Sequence, residues 1–173
     1  MSKHEYNPIG RTEIFKRVRS HTPVEATCAV TTNDSQILIS SRRYGGANGL
    51  IVPLVKITGD YDRFEEQILT SGRLGHILDI HPDELEKNAE VTFLGETRLT
   101  PAPHSKLMVP CAVEIDLSST EVPVSSGAHY TWRDIGETED TLAKLPAPIH
   151  LPKIYDSHFA LQSYINTMTY IRT

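Results

Sequence analysis

The chain has 173 residues, with 17 Lys and Arg against 22 Asp and Glu and a formal charge of −5. That length suits a single domain with one sizeable core, and 39% apolar with 23% charged residues excludes a disordered polymer. The longest apolar stretches, such as Gly49 to Val55, fall far short of the roughly 20 residues of a membrane span. The polar start, Met1 to Gly10, lacks the apolar block of a secretory signal. Cys28 and Cys111 are too few and too far apart for a disulfide framework or a thiolate zinc site. Mild acidity argues against nonspecific nucleic-acid binding. These features predict a soluble, cytoplasmic protein.

Thr12 is suited to cap a short helix to about Arg19, with Ile14, Phe15 and Val18 on one stripe. Two β runs follow, Ala26–Thr32 and Gln36–Ser41, around Asn33-Asp34-Ser35. Asn and Asp tolerate positive φ, so a hairpin is predicted. Tyr44–Gly49 reads as a glycine-rich loop. Leu50–Ile57 reads as a strand that Pro53 confines to an edge or a bulge. Tyr61–Ile80 carries Phe64, Ile68, Leu69, Leu74, Ile77 and Leu78 at helical spacing, weakened by Gly72 and Gly75. Pro82 opens a short helix through Lys87. Strands are predicted at Glu90–Leu99, Lys106–Leu117 and Ala128–Arg133, and a helix at Glu137–Leu145. A proline-rich connector, Pro146–Pro152, precedes a last helix capped by Asp156 or Ser157.

The segment from Ala26 to Arg43, a hairpin whose aliphatic second strand ends in arginine, resembles the first hairpin of the Nudix superfamily. Leu50–Asp60 resembles the strand and loop entering its Nudix box, and Tyr130–Ile135 its late short strand. The resemblance spans roughly Ala26 to Leu145 and implies an α/β fold, a Nudix-like α/β/α sandwich around a mixed β-sheet. It implies three regions: an N-terminal extension over 1–24, the Nudix-like domain over 25–145, and a connector with a C-terminal helix over 146–173.

The family's box sets paired glutamates on one helix face, where they hold divalent cations against a diphosphate. In one register Gly59, Glu65 and Arg73 match, but Leu74, Ile77 and Leu78 fill the later glutamate positions. The preferred register anchors on Pro53, the Gly59-Asp60 turn and Gly75. Asp60 is then the first acid, Ile68 and Leu69 replace Arg-Glu, and Gly72 and Arg73 replace the metal-binding pair. An arginine in that place repels a cation and attracts a phosphate or carboxylate. The box is therefore read as degenerate, with no metal ligands and no cofactor.

Arg42 and Arg43, beside the Tyr44-Gly45-Gly46 loop, are suited to clamp an anion or to end a solvated strand. Arg73 is either a ligand contact or a surface helix residue. His76 and His81, five apart, are poor same-face partners. His104 has the titration range of an acid or base, in a loop whose bland reading is a rigid proline turn. Glu114 and Asp116 alternate along a strand, as paired carboxylates or as its solvent side. His129, Tyr130 and Trp132 offer stacking or packing. Glu65 and Glu66 offer carboxylates for a rebuilt metal site or for a solvated helix face. The expected site residues are His104, Glu114 and Glu65 as catalytic groups and Arg42, Arg43, Arg73 and Trp132 as ligand contacts.

Three functions follow. The first is a protein that binds or acts on a nucleotide-like or phosphorylated small molecule, the usual metal-dependent diphosphate hydrolysis being lost. The second is a divergent hydrolase of nucleoside diphosphate derivatives using Mg²⁺ or Mn²⁺ at Asp60, Glu65 or Glu66. The third is a noncatalytic regulatory module, homodimeric through a strand edge or the C-terminal helix. The expected partner is a small-molecule ligand, with neither nucleic acid nor membrane. Whether the chain is an enzyme is left open by the sequence.

Overall fold

A computed structural model describes residues 23–44, 47–58, 63–94, 98–99, 106–146 and 151–172. The predicted helix at Thr12–Arg19 lies outside them, as do Asp60 and His104. The chain runs β1 (Val24–Thr32), β2 (Gln36–Tyr44), β3 (Ala47–Ile51), β4 (Leu54–Ile57), α1 (Phe64–Thr70), α2 (Arg73–Leu78) and α3 (Pro82–Asn88). It continues through β5 (Ala89–Phe93), β6 (Arg98–Leu99), β7 (Leu107–Ile115), β8 (Thr131–Asp134), α4 (Ile135–Lys144) and α5 (Pro152–Arg172).

The strands form one mixed sheet with the path β3-β2-β1-β7-β5. Its spine is the parallel pair β1–β7, in register from Val24 opposite Leu107 to Thr32 opposite Ile115. Both strands are nearly continuous runs of buried residues, the pattern of strands covered on both faces. One face of β1, with Val24, Ala26, Cys28 and Val30, packs with Phe64, Ile68, Leu74, Ile77 and Leu78 from α1 and α2. The other face, through Ala29, Ile37, Ile39 and Leu50, packs with Ala160, Leu161 and Tyr164 of α5. The result is the expected α/β/α sandwich around a mixed sheet. Among the described residues no helix is long and apolar enough to cross a membrane.

Several elements differ from their sequence reading. The run Leu50–Ile57 is two strands: β3 pairs with β2 and β4 pairs with β1, and Pro53 marks the exchange while its carbonyl accepts the Cys28 N–H at 2.9 Å. Ala47–Gly49, read as loop, is already strand. The long helix divides at Gly72, which takes φ +87°, a value glycine adopts without steric cost. In the hairpin the left-handed residue is Ser35, φ +59°, not Asn33 or Asp34. The run Glu90–Leu99 is not one strand, since β5 ends at Phe93 and β6 pairs separately with β7.

The C-terminal helix begins at Pro152, so Asp156 and Ser157 are inner, buried residues and not its cap. Ser157 caps a strand edge instead. Its Oγ accepts the Val52 N–H at 3.1 Å, and His158 Nε2 accepts the Leu50 N–H at 3.0 Å. The neighbouring Gly49 is fixed by close approach, because a Cβ there would stand 2.7 Å from Ile154 Cδ1. Cys28 and Cys111, 83 positions apart, are exact ladder partners. Burial pushes both thiols up, Cys28 to about 12, so they are held as unreactive thiols in the core.

Candidate functional site

Strand alternation separates the two adjacent arginines of β2. Leu38 packs on the α1–α2 face and Ile37 and Ile39 on the α5 face, so Arg42 projects with Leu38 and Arg43 with Ile39. Arg42 lines an open groove of about 600 Å³, shared with Ser40 and Ser41 of β2, Val124, Ser125 and Ser126 of the loop before β8, and His129, Tyr130 and Thr131. Ser40, buried at the same face, accepts from Arg42 Nε at 3.4 Å and orients the guanidinium.

Tyr130 is the buried wall of this groove. Burial raises its phenol above the usual range, while Arg73 and Arg42 pull in the opposite direction, Arg73 also as a hydrogen-bond donor. Arg42 lines the groove with Tyr130, and Arg73, although not part of the lining, lies near enough to act on the same phenol electrostatically. The loop wall is tied to the same helix as Arg73: Ser125 N–H donates to the Ile77 carbonyl at 2.8 Å, one turn along α2. Among the described residues neither Arg42 nor Arg73 has a carboxylate within ion-pair distance. Two such cations beside hydroxyl groups make a site for an anion with several acceptor oxygens.

The other expected residues lie elsewhere. Arg43 points to the α5 face. Glu114 stands opposite Thr31 on β1, and Thr31 stands opposite Ile37, five positions before Arg42 on β2. At strand rise that separation is roughly 17 Å along the sheet. Glu114 lines a different groove of about 570 Å³, with Glu90, Asp116 and Lys87 at its rim and Tyr164 and Met168 on its floor. Trp132 sits on β8 with its indole N–H donating to the Val122 carbonyl at 2.8 Å, partly packed on the core. Glu65 lies in the first turn of α1. The sequence reading grouped Tyr130 with the stacking aromatics and did not single it out. Its signal was the alternation of β8, which sets it two positions from Trp132.

A divalent cation is the group the resemblance implies, and the donors among the described residues do not form a set that fits it. In α2, Leu74, Ile77 and Leu78 are buried in the core and Arg73 is a cation. Both oxygens of Glu66 are taken by Arg63, whose guanidinium holds that carboxyl below its usual range. No group of three His, Cys, Asp or Glu able to hold a metal occurs among the described residues.

No protein-family model matches the chain, and no curated protein matches it in sequence. Solved structures do match it in fold. An Ap4A hydrolase of C. elegans is 12% identical with a TM-score of 0.52, over 85% of this chain and 98% of that one. The NUDIX domain of Shewanella oneidensis NrtR, solved with ADP ribose, is 12% identical with a TM-score of 0.50, over 97% and 99%. A bifunctional NMN adenylyltransferase/ADP ribose pyrophosphatase of Francisella tularensis, solved with AMP and a manganese ion, is 10% identical with a TM-score of 0.52, over 91% of this chain and 46% of that one. The chain therefore has a Nudix-like fold.

Proposed function

We propose that this chain binds the phosphorylated part of a nucleotide-like small molecule in the groove lined by Arg42 and Tyr130, with Arg73 adding its charge beside Tyr130, without a divalent cation and without the diphosphate hydrolysis usual for its fold. The observation that carries this reading is the groove itself, which sets Arg42, oriented by Ser40 and offset by no described carboxylate, beside the hydroxyls of Ser41, Ser125 and Ser126 and the buried Tyr130, on which Arg73 also acts electrostatically. The fold neighbours support the ligand class, since two of them were solved with ADP ribose or AMP. The argument for binding over hydrolysis is electrostatic: Arg73 supplies the positive charge that a metal would bring, and supplies it permanently. Arg43, Glu114, Glu65 and Trp132 are not needed by this reading.

The test pairs binding with turnover. Isothermal titration of AMP and ADP ribose in chelator is expected to show saturable binding, weakened at least tenfold in Arg73→Ala. Mass spectrometry of a pool of nucleoside diphosphate derivatives with Mg²⁺ or Mn²⁺ is expected to show no cleavage. Metal-dependent cleavage abolished by Glu65→Gln would establish the divergent hydrolase in place of this reading.

A further inference from the structure

The groove lining offers far more to a sugar than to a base. Besides the Arg42 guanidinium it presents the hydroxyls of Ser40, Ser41, Ser125, Ser126 and Thr131, each able to donate and accept. A flat base seeks an aromatic face or an array of matched edges. Tyr130 is 7% exposed and its phenol is engaged by Arg73. Trp132, the larger aromatic nearby, is anchored on Val122. Among the described residues the imidazole of His129 is the one other ring lining the groove; it is exposed and carried on a backbone at φ +60°.

Phosphate and sugar are also placed in order. Arg42, oriented by Ser40, lies on the strand side, and Ser125 and Ser126 form the opposite wall, fixed to α2 through Ile77. A phosphoryl group held by Arg42 brings its ester-linked sugar alongside these serines. We infer that the groove recognises a phosphorylated sugar, such as a pentose phosphate end, and does not read the base attached to it. This rests on the phosphate-binding reading above and narrows its ligand.

The experiment is isothermal titration in chelator with four probes: inorganic phosphate, ribose 5-phosphate, AMP and adenosine. The expected result is ribose 5-phosphate and AMP binding within about threefold of each other, phosphate at least tenfold weaker, and adenosine not at all. Replacing Ser125 and Ser126 together by Ala removes up to two hydrogen bonds, which is expected to weaken ribose 5-phosphate about tenfold while leaving inorganic phosphate unchanged. Thermal unfolding confirms that this variant is folded. AMP binding at least tenfold tighter than ribose 5-phosphate, or measurable adenosine binding, would overturn the sugar inference and leave the phosphate site standing. Phosphate binding as tight as ribose 5-phosphate would do the same. If no phosphorylated probe binds, both readings fall.

Discussion

The seam between α5 and β3 gives the most direct test of how the site is held. His158 Nε2 accepts the Leu50 N–H at 3.0 Å, so that nitrogen carries no proton and Nδ1 does; Nδ1 is buried without a partner among the described residues. His158→Phe keeps a ring of similar bulk but removes the acceptor and leaves the Leu50 N–H buried and unsatisfied. Such an orphan costs about 1–3 kcal/mol. Loss of the unpaired Nδ1–H offsets part of this, so the lower half of the range is expected. In a chain of this size each kcal/mol moves Tm by about 2–4 °C, which predicts a fall of roughly 2–8 °C at pH 8. His158→Gln returns an acceptor and should recover part of the loss. The pH arm is independent of that magnitude. Burial lowers the His158 pKa below its usual 6.5. As pH falls from 8, the unfolded chain therefore takes up this proton first. Stability contributed by the neutral imidazole is complete above about 6.5 and is lost as pH falls through the window down to the folded pKa. Circular dichroism melts between pH 8 and 5.5 should show wild type losing more than His158→Phe over that window. Identical Tm at pH 8 together with parallel pH curves would refute the proposed role of the imidazole.

Four further substitutions test the frame of the groove. Gly49→Ala drives a methyl into Ile154 and is expected to cost about 1–3 kcal/mol in urea unfolding; combined with Ile154→Ala it should cost less than the sum of the two single changes. Lys106→Met strands the buried Glu25 carboxylate, now held at 2.7 Å, for about 3 kcal/mol, with Lys56 opposite Glu25 on β4 as the remaining cation. Adding Glu25→Met should restore most of that stability. Trp132→Phe loses the donor to Val122 and should lower Tm by about 2–4 °C. Gly72→Ala meets no atom within 4 Å, so its cost is confined to the backbone at φ +87°, about 1–2 kcal/mol, and Arg73, the next residue, should lose phosphate affinity with it.

The local signals in the sequence carried the sandwich. The β runs Ala26–Thr32 and Gln36–Ser41 about the turn at Asn33-Asp34-Ser35 indicated a hairpin, and the period of Phe64, Ile68 and Leu69 indicated a helix on its apolar face. What stayed hidden is non-local. The pairing of β1 with β7 brings Cys28 to Cys111 across 83 positions, and nothing in either segment names its partner. Pro53 was read correctly as an interruption, but its consequence depends on β1 standing ready to receive β4. Asp156 and Ser157 misled because small polar residues near a helix start suggest a cap. Here they are buried with His158, and Ser157 and His158 satisfy the N–H groups of Val52, just past β3, and of Leu50 within it, where the chain leaves one partner strand for another.

The same distinction explains the candidate site. Arg42 and Arg43 are equivalent by type and adjacent by number, and only the pleat divides them between the two faces of the sheet. Arg73 was legible as a charge in the wrong place for a metal, yet its partner was not. It depends on Gly72 breaking the helix, on Ser125 docking at Ile77, and on Tyr130 entering from the loop before β8, more than 50 residues downstream. Glu114 had the stronger claim on chemical grounds, since paired carboxylates do acid–base work, but its position beside Thr31 puts it at the far end of the sheet. A site read from residue types alone therefore favours groups with chemistry of their own. The proposed site instead depends on arginines: Arg42, set on the groove by the parity of one strand, and Arg73, brought near Tyr130 by a helix break and a docked loop.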